Sequence, residues 1–94
     1  MHGAELIEKE KIKELKFVNH EVLHSSDAIS HRKKELERAT TIGNAHHGKI
    51  KIVFETQDGL KEVETTVWST TEKFITLKGD LTIPVNAIKD VFIY

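Results

Sequence analysis

The feature that most constrains the fold is an alternation of apolar and polar residues in the second half of the chain. Ile50, Ile52 and Phe54 occupy every second position, with charged residues between or beside them. A period of two is typical of a strand with one buried face. The Asp58-Gly59 dipeptide that follows is typical of a two-residue hairpin loop, whose central residues need positive φ. This stretch therefore predicts a β-hairpin.

The predicted hairpin loops also fix which residues pair across the strands. They place Phe54 opposite Val63, Val67 opposite Ile75, and Ile75 opposite Ile83. A slip of one residue would move the apolar set of a strand to the other face, so the agreement between strands favours a meander. The shared face collects the residues that we expect to form the core: Ile50, Ile52, Phe54, Val63, Val67, Ile75, Leu77, Leu81 and Ile83.

The end of the chain is predicted to add one more strand to this meander. Pro84 cannot donate a hydrogen bond to a ladder, so it indicates the end or the edge of the fourth strand. Asn86–Lys89 predicts one helical turn capped by Asn86, and Asp90–Tyr94 predicts a fifth strand. Five strands with one helical turn before the last are typical of a small SH3-like or Sm-like barrel.

The first half of the chain lacks clear alternation. Residues 5–24 carry apolar residues at helical spacing and predict a first helix, with a strand over Leu15–Leu23 as the alternative. Ser25–Asp27 offers caps for a second helix over Ala28–Ile42, and Gly43-Asn44 is a typical helix stop.

The predicted second helix has one apolar stripe and one charged face. The stripe is formed by Ile29, Leu36 and Ala39. The basic run Arg32–Lys34 is interleaved with acidic residues, which favours a solvated face over a phosphate site. At 94 residues the chain is expected to be one α+β domain. Two N-terminal helices within residues 1–47 would be followed by a five-stranded antiparallel barrel within 48–94.

Composition limits the classes of function. The chain has 14 basic and 15 acidic residues, so there is no overall attraction to nucleic acid or acidic membranes. It has no cysteine, which excludes disulfide and thiolate chemistry. No apolar run approaches the length of a membrane span, and no apolar signal core follows the first residues. We expect a cytoplasmic protein of bacterial type, with no membrane contact and no cofactor.

One motif is associated with catalysis. His20-Glu21-Val22-Leu23-His24 matches H-E-x-x-H, in which two histidines one helical turn apart bind zinc and the glutamate is the general base. The resemblance to zinc metallopeptidases covers these five residues. The extended pattern requires a histidine ten positions after His20, whereas His31 lies eleven positions after it. We therefore expect a histidine-rich helix without metal. The alternative is a zinc-dependent hydrolase that uses His20 and His24, with Glu21 as the base.

From about residue 46 to 94 the layout resembles the Sm/SH3-like small barrels, and among them the Rho-factor inhibitor (Rof) family. The resemblance rests on His46-His47 before the first strand, Asp58-Gly59 at the first hairpin, and Ile83–Val91 near the end. It implies a non-enzymatic module that binds RNA or another protein. The long charged N-terminal half departs from the family pattern, and no functional residue is carried over.

The outer face of the predicted barrel provides a candidate binding site. The register places Lys49, Trp68 and Phe74 in one row, with Lys51 in the next. Exposed aromatic rings flanked by lysines are typical of single-stranded nucleic-acid binding. We favour the other interpretation, in which the apolar stripe of the second helix covers both rings, because that stripe needs an apolar partner.

We expect a non-catalytic binding or regulatory module rather than an enzyme. Its partner would be another protein or a second copy of the chain, with single-stranded RNA as the alternative. A third hypothesis is a self-associating structural protein whose N-terminal helices dimerise.

Overall fold

Seven strands and one α-helix form the fold of residues 3–94, the part of the chain that the computed structural model describes. The helix α1 spans Ser26–His46, and short 3₁₀ helices span Lys9–Glu14 and Val85–Ala87. The strands are β1 (Glu5–Leu6), β2 (Ile50–Thr56), β3 (Gly59–Thr65), β4 (Val67–Thr70), β5 (Phe74–Leu77), β6 (Leu81–Pro84) and β7 (Ile88–Ile93). Sheet A has the strand order β1-β3-β2-β7, and sheet B has the order β4-β5-β6.

The prediction of two N-terminal helices and a closed five-stranded barrel is wrong. Residues 5–24 hold β1, a 3₁₀ helix and an irregular segment, and the strands form two open sheets. The apolar residues of this N-terminal stretch do not share one helical face. Ile12 packs into the core from the 3₁₀ helix, whereas Phe17 forms a β-bridge to Thr56 and packs its ring against Phe54 on β2. Contacts with the sheets therefore override the local helical spacing.

The predicted second strand is divided in two at Thr66. β3 ends at Thr65 and pairs in sheet A, whereas β4 begins at Val67 and pairs in sheet B. The hydroxyl of Thr66 donates to the carbonyl oxygen of His47, at the end of α1, over 3.2 Å. The chain thus passes directly from one sheet to the other at this residue.

The pairing of β2 with β3 differs from the predicted register by two residues. Thr56 pairs with Gly59, so Phe54 lies opposite Lys61 and not opposite Val63. The Thr56 hydroxyl closes this turn, because it donates to the Gly59 carbonyl and accepts from the Asp58 N–H. A shift of two residues keeps every side chain on its predicted face.

The residues predicted for the core are buried despite this shift, and Ile12, Leu36, Ala39 and Ile88 join them. The predicted Val67–Ile75 pair is also wrong, since Val67 lies opposite Leu77, but the Ile75–Ile83 pair is confirmed. All nine residues predicted for the core are buried, each with at most 6% of its surface exposed.

Helix α1 begins at the predicted cap but continues past the predicted stop. The Ser25 side chain accepts a hydrogen bond from the Ala28 N–H. The helix runs through Gly43 to His46, and His47 adopts the left-handed conformation with φ of 53°. A Cβ on Gly43 would lie 2.1 Å from the carbonyl oxygen of Val67. Gly43 therefore permits close packing of α1 on β4 and does not end the helix.

Asn86 has a different role from the predicted cap. Pro84 precedes the 3₁₀ helix Val85–Ala87, and the Asn86 side-chain amide donates to the carbonyls of Val18 and His20. It thereby fixes the irregular N-terminal segment to the start of β7. That strand begins at Ile88, two residues before the predicted start.

The edge strands of both sheets are short, covered or capped. β1 has two residues, β4 packs against α1, and β6 packs against the first 3₁₀ helix. On β7 the Asp90 carboxylate accepts the Val91 N–H at 3.0 Å, and Arg32 donates to the Ile88 carbonyl at 3.0 Å. The two hydrogen bonds on β7 occupy backbone groups that another strand would otherwise use for pairing.

Candidate binding surface on sheet B

The outer face of sheet B carries two exposed aromatic side chains. Ile75 points into the core, so its strand neighbours Phe74 and Thr76 point outward. Phe74 is 48% exposed and Trp68, on β4, is 39% exposed. The uncharged residue Thr82 lies opposite Thr76 on the same face. Two large apolar rings are thus presented on the outside of a sheet whose inner apolar residues are buried.

A β-bulge sets the position of Trp68. Val67 lies opposite Leu77 and Ser69 lies opposite Thr76, so Trp68 is the additional residue in β4. Phe74 lies at the other end of the hairpin, where its carbonyl accepts the Thr71 N–H. The predicted direct pairing of Trp68 with Phe74 is therefore not formed, although both rings remain on sheet B.

The prediction that α1 covers these two rings is wrong. Leu36 and Ala39, two members of the predicted stripe, belong to the central core cluster. Ile29, the third member, is 37% exposed at the surface. The stripe packs on the interior of the fold, and this leaves Trp68 and Phe74 accessible.

The two predicted lysines lie elsewhere. Lys51 is on β2 in sheet A, opposite both Glu64 and Phe92, and its Nζ is 3.7 Å from a carboxylate oxygen of Glu62. Lys49 lies at a cleft that His47, Lys78 and Glu64 also line. The structure therefore does not join the lysines and the rings into one row, because the chain bends between the sheets at Thr66.

Sequence reasoning missed Phe92 and Tyr94, which are 41% and 75% exposed. The signal was the alternation in Phe92-Ile93-Tyr94, where the middle residue is half-buried and the aromatic residues point outward. Phe92 and Tyr94 lie on the same face of sheet A as Lys51. Sheet A therefore also presents aromatic rings, but they lie beside a charged group.

The H-E-x-x-H segment lies in the irregular stretch before α1, so its residues are not arranged on a helix. Arg32, predicted to be solvated, is only 6% exposed. Its guanidinium donates to both carboxylate oxygens of Glu21, each over 2.6 Å. These hydrogen bonds lower the pKa of Glu21, and the Leu23 N–H also contributes. Glu21 thus anchors the segment to α1.

The histidines of the motif are on the surface. The Nε2 atom of His20 is 3.5 Å from a carboxylate oxygen of Glu55, and His24 is exposed. Within residues 3–94, no three or more histidine and carboxylate side chains are grouped in a way that could hold a metal ion. The zinc-site geometry that the motif requires is not formed by this segment.

A groove lies beside the aromatic face, between the first half of α1 and the turn from β4 to β5. It encloses about 390 Å³, and its apolar wall includes Ile29, Leu36 and Val85. A second cavity of about 330 Å³ extends toward Phe74 and Pro84. The two cavities share Arg32, Glu72 and Val85 as lining residues.

No protein-family model, curated protein or solved structure matches this chain. None of the helices formed by residues 3–94 combines the length and the apolar character needed to cross a membrane.

Proposed function

We propose that the protein is a non-catalytic binding module that contacts a partner protein through the outer face of sheet B. The observation that supports this proposal is the exposure of Trp68 and Phe74 on a sheet whose inner face contributes Val67, Ile75, Leu77 and Ile83 to the core. Large aromatic side chains are enriched among the residues that dominate protein interfaces. The face is therefore suited to burial against a second apolar surface.

The charges around the rings favour a protein over single-stranded RNA. Binding of single-stranded nucleic acid combines aromatic stacking with a cationic groove for the phosphates. Lys51 lies on sheet A near Glu62, and Thr76 and Thr82 on the aromatic face are uncharged. Depletion of charge around aromatic residues is typical of the buried centre of a protein interface.

The role of Glu21 supports a non-catalytic module. In the catalytic reading this carboxylate would be the general base, but both of its oxygens accept hydrogen bonds from Arg32. The ion pair holds the N-terminal segment on α1, a structural role.

Photo-crosslinking in the cells that make the protein tests this proposal. A photoreactive amino acid at Thr82, on the outer face of sheet B, should give one discrete protein adduct. The same amino acid at Glu64, an exposed residue of sheet A, is the matched control and should not give that adduct. Trp68→Ala should abolish the Thr82 adduct while the folded protein persists.

Three outcomes would contradict the proposal. An adduct that disappears on ribonuclease treatment would assign the face to RNA. An identical adduct from Glu64 would show that the contact is not specific to sheet B. The absence of any adduct from Thr82 would show that this face has no stable partner in the cell.

A further inference from the structure

We infer that the groove between α1 and the β4–β5 turn receives an aliphatic side chain from an uncharged segment of the partner protein. This inference rests on the proposed function and names the feature of the partner that the module recognises. The groove lies next to the aromatic face, and its shape, polarity and charge all restrict what can occupy it.

The apolar wall of the groove includes the part of the α1 apolar stripe that the core does not bury. Leu36 is fully buried, whereas Ile29, two helical turns earlier on the same stripe, is 37% exposed at the groove. Val85 faces the same space from the 3₁₀ helix that follows β6. A volume of about 390 Å³ is within the range of ordinary ligand pockets and accommodates a branched aliphatic side chain with its backbone.

The hydroxyl groups beside the groove are already hydrogen-bonded within the protein. The Thr70 hydroxyl lies 2.7 Å from the Thr40 hydroxyl and also donates to the Leu36 carbonyl. The Thr71 hydroxyl donates to the Phe74 carbonyl. These hydroxyl groups therefore offer little to a polar side chain that enters beside the apolar wall, and the wall itself favours an aliphatic occupant.

The charges at the groove do not favour a strongly charged occupant. Arg32 lies where the two cavities meet, and its charge is compensated by Glu21 at 2.6 Å. The remaining charged residues are balanced, two of each sign. They are Lys33 and Glu37 on α1, and Glu72 and Lys73 in the turn. A surface without net charge gives no attraction to a polyanion and complements a neutral peptide.

The groove and the aromatic face are continuous. The second cavity is lined by Phe74 and Pro84, which pair across β5 and β6, and it shares Val85 with the first. A segment anchored beside Ile29 would therefore extend over Phe74. The groove supplies a pocket for one anchor residue, and the sheet supplies the surrounding contact area.

Selection from a displayed library of random peptides on the full chain tests the inference. Enriched peptides should share an aliphatic residue and carry little net charge. In a titration with the synthesised peptides, Ile29→Glu should weaken binding about tenfold or more, whereas Ile29→Leu should retain it within about twofold. Ser30→Glu adds the same charge at the next, exposed position and should leave affinity unchanged. Circular dichroism would confirm that all three variants are folded.

Peptides that bind Ile29→Glu as tightly as the wild type would overturn the inference, as would a selection that enriches only charged peptides or none. The outcomes also separate this inference from the proposed function. If the adduct at Thr82 persists in Ile29→Glu, the aromatic face binds the partner but the groove does not contribute to binding. If peptide binding depends on Ile29 but Thr82 gives no adduct in the cell, the groove binds peptides and the proposed contact through the aromatic face is wrong.

Discussion

The outer faces of the two sheets differ although their inner faces contribute to one core. On sheet A, Lys51 lies between Glu64 and Phe92 and approaches Glu62, so an ammonium group is adjacent to the exposed ring and carboxylates lie on the same face. On sheet B, Phe74 lies on a face with Thr76 and Thr82, which carry no charge. Both sheets must bury their inner apolar residues. The sheets therefore differ in the charge of their outer faces: burial against an apolar partner is costly for sheet A and favourable for sheet B.

The largest effect is expected from a truncation in the core that the sheets share. Ile52 of sheet A and Ile75 of sheet B are both fully buried. Ile52→Ala and Ile75→Ala should each lower the free energy of unfolding by about 2–5 kcal/mol, because each leaves a cavity. Urea denaturation followed by fluorescence and by circular dichroism should give one coincident transition for each variant. Separate transitions would show that the sheets are independent units.

A smaller loss is expected where α1 approaches sheet B. Gly43→Ala would place a methyl group 2.1 Å from the Val67 carbonyl oxygen. The helix would have to move away from β4, so we expect destabilisation by about 1–3 kcal/mol. Asn44→Ala, at the adjacent exposed helical position, is the control and should leave the melting temperature unchanged or slightly raised. Equal stability of Gly43→Ala and the wild type would disprove the close packing of α1 on β4.

The ion pair between Glu21 and Arg32 should make stability depend on pH. The hydrogen bonds from Arg32 hold the pKa of Glu21 below its ordinary value of 4.5 in the folded protein. The stabilisation is therefore present above that ordinary value and is lost as the pH falls through the lower, folded value. Because Glu21 is about one-third exposed, solvent screening limits the contribution to about 1 kcal/mol.

Comparing Glu21→Gln with the wild type measures this contribution. The variant should be less stable at neutral pH, and the two proteins should converge in acid. Parallel curves of unfolding free energy against pH would show that Arg32 does not depress the pKa of Glu21.

Truncating the exposed rings should change stability little and binding strongly, but on sheet B alone. Trp68→Ala and Phe92→Ala should each cost about 1 kcal/mol or less, because both rings are substantially exposed. Only Trp68→Ala should remove the crosslinked partner. Loss of the adduct in Phe92→Ala as well would extend the contact surface to sheet A and remove the functional difference between the sheets.

The smallest effect is expected from RNA. Adding short single-stranded RNA at low salt should leave the fluorescence of Trp68 unchanged, because sheet B lacks the adjacent row of lysines first predicted. Quenching that weakens steeply as salt is raised would indicate phosphate contacts and would favour RNA over a protein.

The sequence was informative where the signal was local. Alternation and turn residues predicted nine residues of the core, all of which are buried, and the register error of two residues left that result intact. The exposure of Trp68 and Phe74 follows from the same alternation. The helical spacing in residues 5–24 was misleading because Ile12 and Phe17 contact different parts of the sheets.

Other features depend on contacts between distant residues. The sequence pattern places Arg32 on a charged helix face. Only in the folded chain does it contact Glu21 and the carbonyl of Ile88. The bend at Thr66 likewise has no turn signal, and it separates Lys51 from Trp68. The candidate site was therefore half predictable: the rings could be found from the pattern, but their neighbours could not.

The order in which the contacts of the edge strands are made matters before the chain is complete. The groups that contact β4, β6 and β7 include α1, the first 3₁₀ helix and Arg32, and all of them precede those strands in the chain. During synthesis each of these strands leaves the ribosome after the element that will cover it. A nascent strand can then be covered as soon as it forms, which shortens the time in which it can join another chain and aggregate.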